Sequence, residues 1–202
     1  GETMTMVSTH FKPWIPDRPV SKGATAFHEA VFNSSWLKDI LYELVTIVKS
    51  KIQKGDIVVD FGAGTGTSAI LLLKHLEQGI NLWLVDNSQS WLGKAYELLH
   101  GFPNVEYFIL EKKDNTYATL AETVGSGIVN HVISANTVHL ISEIKEVFAE
   151  TELTVIREVT KKFEEIKKGS IDSLIEYFSK AKARGEFVVI INTDLRKPLG
   201  SS

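Results

Sequence analysis

Apolar positions along this chain follow two different periods, and the switch between them divides it into elements. Over residues 25–50, Phe27, Val31, Trp36, Ile40, Leu41, Leu44, Val45 and Val48 recur at helical spacing. Ser34-Ser35 can break that stretch into two helices. From Ile57 onward, short continuous apolar runs alternate with helical ones. Ile57-Val58-Val59-Asp60-Phe61 reads as a buried strand, followed at once by the helical run Thr67–Leu73. Asn81–Asp86 is a second strand, and Asn87 or Ser88 can cap the helix that carries Trp91 and Tyr96. Val105–Leu110 is a third strand before a helix over Tyr117–Val124, which Gly125 and Gly127 end. His131–Asn136 is a fourth strand, and Ile141–Ala149 a helix beyond it. Leu153–Val159 then predicts a strand, Lys161–Lys168 and Ile171–Ala183 two helices, and Glu186–Asn192 a last strand.

Strand–helix alternation of this kind predicts an α/β fold, a Rossmann-like, mostly parallel sheet of about six strands with helices on both faces. Its C-terminal β-α-α-β segment is atypical. Right-handed crossovers bring the strand C-termini, and with them the polar and glycine residues at 62–66, 86 and 136, to one edge of the sheet. The expected organisation is an N-terminal arm and helices over 1–50, a core over 51–149, a segment over 150–198 that completes the sheet, and a tail at 199–202. Pro13, Pro16 and Pro19 exclude a regular helix at the start and favour an extended arm. Phe11 and Trp14 on that arm are candidates to line a pocket.

Bulk properties narrow this picture mainly by exclusion. At 202 residues the chain holds one domain, or one with an appendage. A net charge of −3 gives no general attraction to nucleic acid and leaves RNA open as a substrate without recommending it; a small-molecule substrate is the expected partner. No cysteine is present, which removes disulfides and thiolate chemistry, and a cytoplasmic protein is the default. No apolar run approaches membrane-spanning length. His10, His28, His75, His100, His131 and His139 are scattered without metal-ligand spacing, so no metal is expected. Neither G-x-S-x-G nor G-x-x-x-x-G-K-[ST] occurs, which removes the common hydrolase and P-loop readings. Oligomeric state is left open.

The chemistry concentrates at Asp60-Phe61-Gly62-Ala63-Gly64-Thr65-Gly66. Glycines let a backbone turn tightly and approach a ligand closely. A dinucleotide fingerprint G-x-G-x-x-G would place its third glycine at 67, where Thr67 stands. Asp86 closes the second strand 20 residues past Gly66 (86 − 66), where a carboxylate can accept hydrogen bonds from ribose hydroxyls. Nicotinamide enzymes place an acid likewise, so Asp86 favours adenosine without choosing the cofactor.

The spacing Asp60, Gly62, Gly64, Gly66 resembles the first motif of the class I, Rossmann-like S-adenosylmethionine-dependent methyltransferases. The resemblance covers residues 1–149 and implies S-adenosylmethionine as cofactor and S-adenosylhomocysteine as product. It implies that Gly62, Ala63, Gly64 and Gly66 pass under the cofactor, that Asp60 lies near its amino group, and that Asp86, with Asn87 beside it, holds the ribose. In that family an acid or amide after the third strand meets the adenine amino group; among Glu111, Asp114 and Asn115, Asp114 is the choice. Ser134-Ala135-Asn136-Thr137-Val138-His139-Leu140 resembles the fourth motif, so Asn136 would orient a nucleophile. His139 would be a base if it points into the cleft, and a packing residue at a helix start otherwise.

Beyond residue 150 the likeness changes. That family would continue with a fifth strand, a helix and a final hairpin, seven strands in all. Val155-Ile156-Arg157-Glu158-Val159-Thr160-Lys161-Lys162-Phe163-Glu164-Glu165-Ile166, with Gly169 and Gly185-Glu186-Phe187-Val188-Val189, is instead similar to the C-terminal domain of the tetrapyrrole methylase family, in its ribosomal-RNA 2′-O-methyltransferase branch. The combination implies a hybrid chain, engineered or recombined, whose cofactor binding survives better than its methyl transfer.

Overall fold

The computed structural model describes residues 12–33, 39, 42, 45–46, 48–76, 79–111, 116–125, 128–134, 152–159, 162–170, 173, 176 and 186–190. Helix α1 is Lys22–Asn33. Strand β1, Ile57–Phe61, leads to α2, Thr67–His75. Strand β2, Asn81–Asp86, leads to α3, Gln89–Leu99, and β3, Val105–Ile109, to α4, Thr116–Gly125. Then come β4, His131–Ser134, β5, Glu152–Val159, β6, Lys162–Ser170, and β7, Glu186–Ile190.

All seven strands join one sheet in the order β3-β2-β1-β4-β7-β5-β6. The first four are parallel, with Asp60 opposite Leu84 on β2 and Ile133 on β4, and Asp86 opposite Ile109 on β3. Every residue of β1 is buried, which is why Ile57, Val58, Val59 and Phe61 are apolar on both faces, without strict alternation. One face carries Val58, Leu82, Leu84, Tyr107 and Ile133, packed under Ala69 and Leu72 of α2 and Leu92, Ala95 and Leu99 of α3. Phe61, Trp83 and Phe108 fall on the alternate positions and are equally buried, with the Trp83 and Phe108 rings 5.2 Å apart. The crossover from β3 back to β4 reverses direction across the sheet, so right-handedness assigns α4, with its buried Leu120, to that second face. At the N-terminal end of the strands, His131 Nε2 lies 2.7 Å from Asp56 Oδ2 and ties β4 to the approach of β1.

Two expectations need correction here. The segment expected as a helix over Lys161–Lys168 is strand β6, antiparallel to β5, so the sheet has seven strands and not six. Pairing passes from Arg157 opposite Glu165 to Glu158 opposite Phe163, leaving Glu164 as the additional residue of a bulge. A bulge shifts the pleat phase by one, so the three-residue spacing of Phe163 and Ile166 that reads as helical is compatible with a strand. The C-terminal segment expected as β-α-α-β therefore opens with two strands in place of a strand and a helix. The hairpin β5–β6 comes first, and the final strand β7 inserts antiparallel between β4 and β5. Ser173 and Glu176 are helical, within the expected second helix. The expected helix over Ile141–Ala149 and the tail at 199–202 lie outside the described residues.

Candidate active site

Above the C-terminal ends of β1 and β2, the chain turns through Gly62, Gly64 and Gly66 with φ of 73°, 58° and 85°. L-residues rarely adopt these values, which accounts for glycine at every second position. The turn is anchored to β2: the Gly62 and Ala63 amides donate to the Val85 carbonyl at 2.8 and 3.1 Å. Asp86 completes the attachment. Its Oδ2 accepts from the Gly64 amide at 2.8 Å, and its Oδ1 from the Ser88 amide at 2.8 Å. Burial raises the Asp86 pKa, and the amides of Ser88, Gly64 and Asn87 oppose that rise. Each oxygen keeps lone-pair capacity for a further donor. Ser88 in turn caps α3 through the Trp91 amide at 3.2 Å.

The three glycines have different tasks. A Cβ on Gly66 would meet Ala95 Cβ at 3.1 Å and Leu99 Cδ1 at 3.2 Å. Gly66 therefore lets α3 close onto the turn, a role in helix packing beside any role toward a ligand. Gly64 has Trp91 3.7 Å from its ideal Cβ position, an ordinary contact.

Asp60 lies below the turn with no solvent exposure. Its Oδ2 accepts from Ser68 Oγ at 2.8 Å, while the buried Oδ1 has no hydrogen-bond partner. Burial pushes its pKa up to about 7; the Asp86 charge adds to the rise and the Ser68 hydroxyl opposes it.

The sequence did not reveal what covers the turn. Helix α1, capped by Ser21 Oγ accepting from the Ala24 amide, lays its buried residues Ala24 and His28 inward. His28 Nδ1 lies 3.0 Å from Thr65 Oγ1, inside the glycine turn. Burial and then the Lys94 charge lower the His28 pKa, so its ring is neutral at pH 7; Glu29 opposes them. Phe27 stacks on Trp91 with centroids 4.4 Å apart and planes 13° from parallel, both rings part-exposed. The only available signal for His28 was its i, i+4 spacing from Ala24, and that does not name Thr65 as a partner.

Among the sequence candidates, the structure brings together Asp60, Gly62, Ala63, Gly64, Gly66, Asp86 and the exposed Asn87 at one turn. Asp114, Asn136, His139 and Phe11 lie outside the described residues. Trp14 does line a cavity, one of about 230 Å³ between the arm and α3, and its amide donates to the Tyr107 carbonyl at 2.6 Å. Among the described residues no cluster of three metal-ligating side chains occurs, and no helix is long and apolar enough to cross a membrane.

No protein-family model matches the chain. A curated relative, ribosomal RNA small subunit methyltransferase I of Rickettsia prowazekii (strain Madrid E), is 28% identical over 87 residues, 43% of this chain. The match spans 31% of that relative's length. Among solved structures, a SAM dependent methyltransferase from Aquifex aeolicus superposes with a TM-score of 0.48 at 17% identity, covering 83% of this chain and 96% of that one. Phosphoethanolamine N-methyltransferase 2 of Haemonchus contortus, in complex with S-adenosyl-L-methionine, gives 0.36 at 17% identity, covering 83% and 41%. These relatives are methyltransferases.

Proposed function

We propose that this chain is an S-adenosylmethionine-dependent methyltransferase acting on a small organic acceptor. The observation that carries the reading is the clasp between Asp86 and the Gly64 amide, with Asp60 buried beneath it and one oxygen unmatched. A buried carboxylate oxygen without a donor is costly unless a ligand supplies one, so the residues present fit a cationic adenosyl compound. Asp86 would accept the ribose hydroxyls beside its two amide bonds, and Asp60 would face the amino-acid end. Residues 51–149 would form the cofactor-binding core, 1–50 its cover and 150–198 the closing segment.

Bound there, S-adenosylmethionine supplies an already activated methyl group on a sulfonium. The protein's part is then to orient the acceptor, exclude water and hold charge. Helix α1 serves the first two, with Phe27 and Trp91 presenting aromatic surface beside the turn. Asp114 would meet the adenine, Asn136 would orient the nucleophile and His139 would take its proton. The net charge of −3 gives no general attraction to a polyanionic acceptor. The RNA substrate named for the Rickettsia relative is the competing acceptor class, and the expectation against nucleic acid gains nothing from that relative.

A second reading, a hybrid that binds the cofactor with little turnover, draws on the antiparallel insertion of β7 beside β4. Calorimetry with S-adenosylhomocysteine and its 2′-deoxy analogue tests cofactor recognition directly. The deoxy compound should bind at least ~10-fold more weakly, the loss of one good hydrogen bond to a charged group. Asp86→Ala cannot replace this comparison, because it also releases the Gly64 amide. Equal binding of both compounds, or binding of neither, defeats the reading. A methyl-transfer screen with small acceptors and with RNA then separates the enzyme from the non-catalytic hybrid.

A further inference from the structure

Asp60 is the group beneath the glycine turn that the fold leaves chemically incomplete. It projects from β1 on the same sheet face as its register neighbours Leu84 and Ile133, both fully buried and apolar. The polar groups that face it are Ser68 from α2, which donates one neutral hydrogen bond, and Asp86 from β2, which carries the same charge. No cation among the described residues faces it. A carboxylate in such a cage is far more stable as the neutral acid than as the anion. Its displacement to about 7 is the same fact in titration terms.

We propose that Asp60 carries a proton in the ligand-free protein, and that the ammonium of the cofactor's amino-acid end expels this proton on binding. This rests on the methyltransferase reading, which already sets Asp60 at the amino-acid end, and deepens it by coupling occupancy of that end to the loss of a proton. The balance is simple. The Asp60 carboxylic acid and the ligand ammonium become a carboxylate–ammonium contact, and one proton leaves for solvent. No covalent bond other than the O–H is broken.

Titration calorimetry of the full chain, repeated in buffers of different ionisation enthalpy, counts the protons released. At about pH 6, S-adenosylmethionine and S-adenosylhomocysteine should each release about one proton. 5′-Methylthioadenosine, which has the adenosyl part but no ammonium, should release none. Affinity for S-adenosylhomocysteine should tighten by up to ~10-fold per pH unit between about 5 and 7 and then level off. Asp60→Asn should abolish both proton release and this pH dependence. Ser68→Ala, which removes the bond that favours the anion, should move the levelling point to higher pH. The idea is overturned by flat affinity with no proton release, by release that persists in Asp60→Asn, or by equal release with 5′-methylthioadenosine. Should Asp60→Asn fail to fold, the Ser68→Ala shift and the comparison of ligands decide alone. Absence of binding by any of the three compounds would instead overturn the cofactor reading itself.

Discussion

A methyl group at Gly66 would press on both Ala95 and Leu99, in a backbone conformation that already disfavours any side chain. Gly66→Ala should therefore cost about 2–4 kcal/mol in urea unfolding, combining overpacking with left-handed strain. Gly64→Ala carries the strain without the collision and should cost about 1–2 kcal/mol. Asp60 gives a second prediction, with a definite sign. Its folded pKa, about 7, lies above the reference 3.8, so between those values the folded state holds a proton that the unfolded state has lost. Its contribution to stability should then fall as pH rises through that window, by up to about 1.4 kcal/mol per unit, and be constant above it. Comparing the urea midpoints of wild type and Asp60→Asn from pH 5 to about 8 isolates this slope; parallel curves would contradict it. Asp60, Asp86 and the glycines were legible in sequence because a strand–turn–strand unit fixes them by local spacing. Thr65 and Ser68, in the same short stretch, were passed over because an ordinary hydroxyl acquires meaning only from what folds against it.

At the scale of elements, α1 is held to the turn by His28–Thr65, and to α3 by Phe27–Trp91 and a 2.6 Å contact between Ser21 Oγ and Ser90 Oγ. His28→Ala should cost about 1–3 kcal/mol, from a lost buried hydrogen bond and a cavity, and should speed amide exchange in α1 more than in α3. Uniform exchange across both helices would mean that His28 does not dock α1. Because the folded His28 pKa is below 6.5, the unfolded chain gains a proton first as pH falls. Docking of α1 should therefore weaken toward acid pH, in the direction opposite to Asp60. The helical period that announced α1 is a property of its own residues, whereas its partners lie far along the chain, Thr65 37 positions from His28 and Ser90 69 from Ser21. Strand β6 fails for a related reason. Lys162–Ser170 has charges and apolar spacing that suit a helix, and only pairing with β5, across a bulge, makes it a strand.

For the whole molecule, the parallel half of the sheet was legible from strand–helix alternation and handedness, because each crossover is local. The antiparallel half was not, since pairing of β7 with both β4 and β5 joins segments whose sequences say nothing about order. β7 covers the side of β4 that β1 leaves open. A chain ended at residue 150 would bare that strand's hydrogen-bonding groups and should sediment as aggregates where the full chain does not. A monodisperse truncated protein would show that β4 needs no cover. The opposite border of the sheet is guarded more thinly. There the Trp14 amide occupies the Tyr107 carbonyl, and the proline-rich approach to it has few donors to offer a visiting strand. Shaving residues 12–20 from the protein would thus uncover a template on which identical molecules could add side by side, turning a guarded border into a seed for filaments.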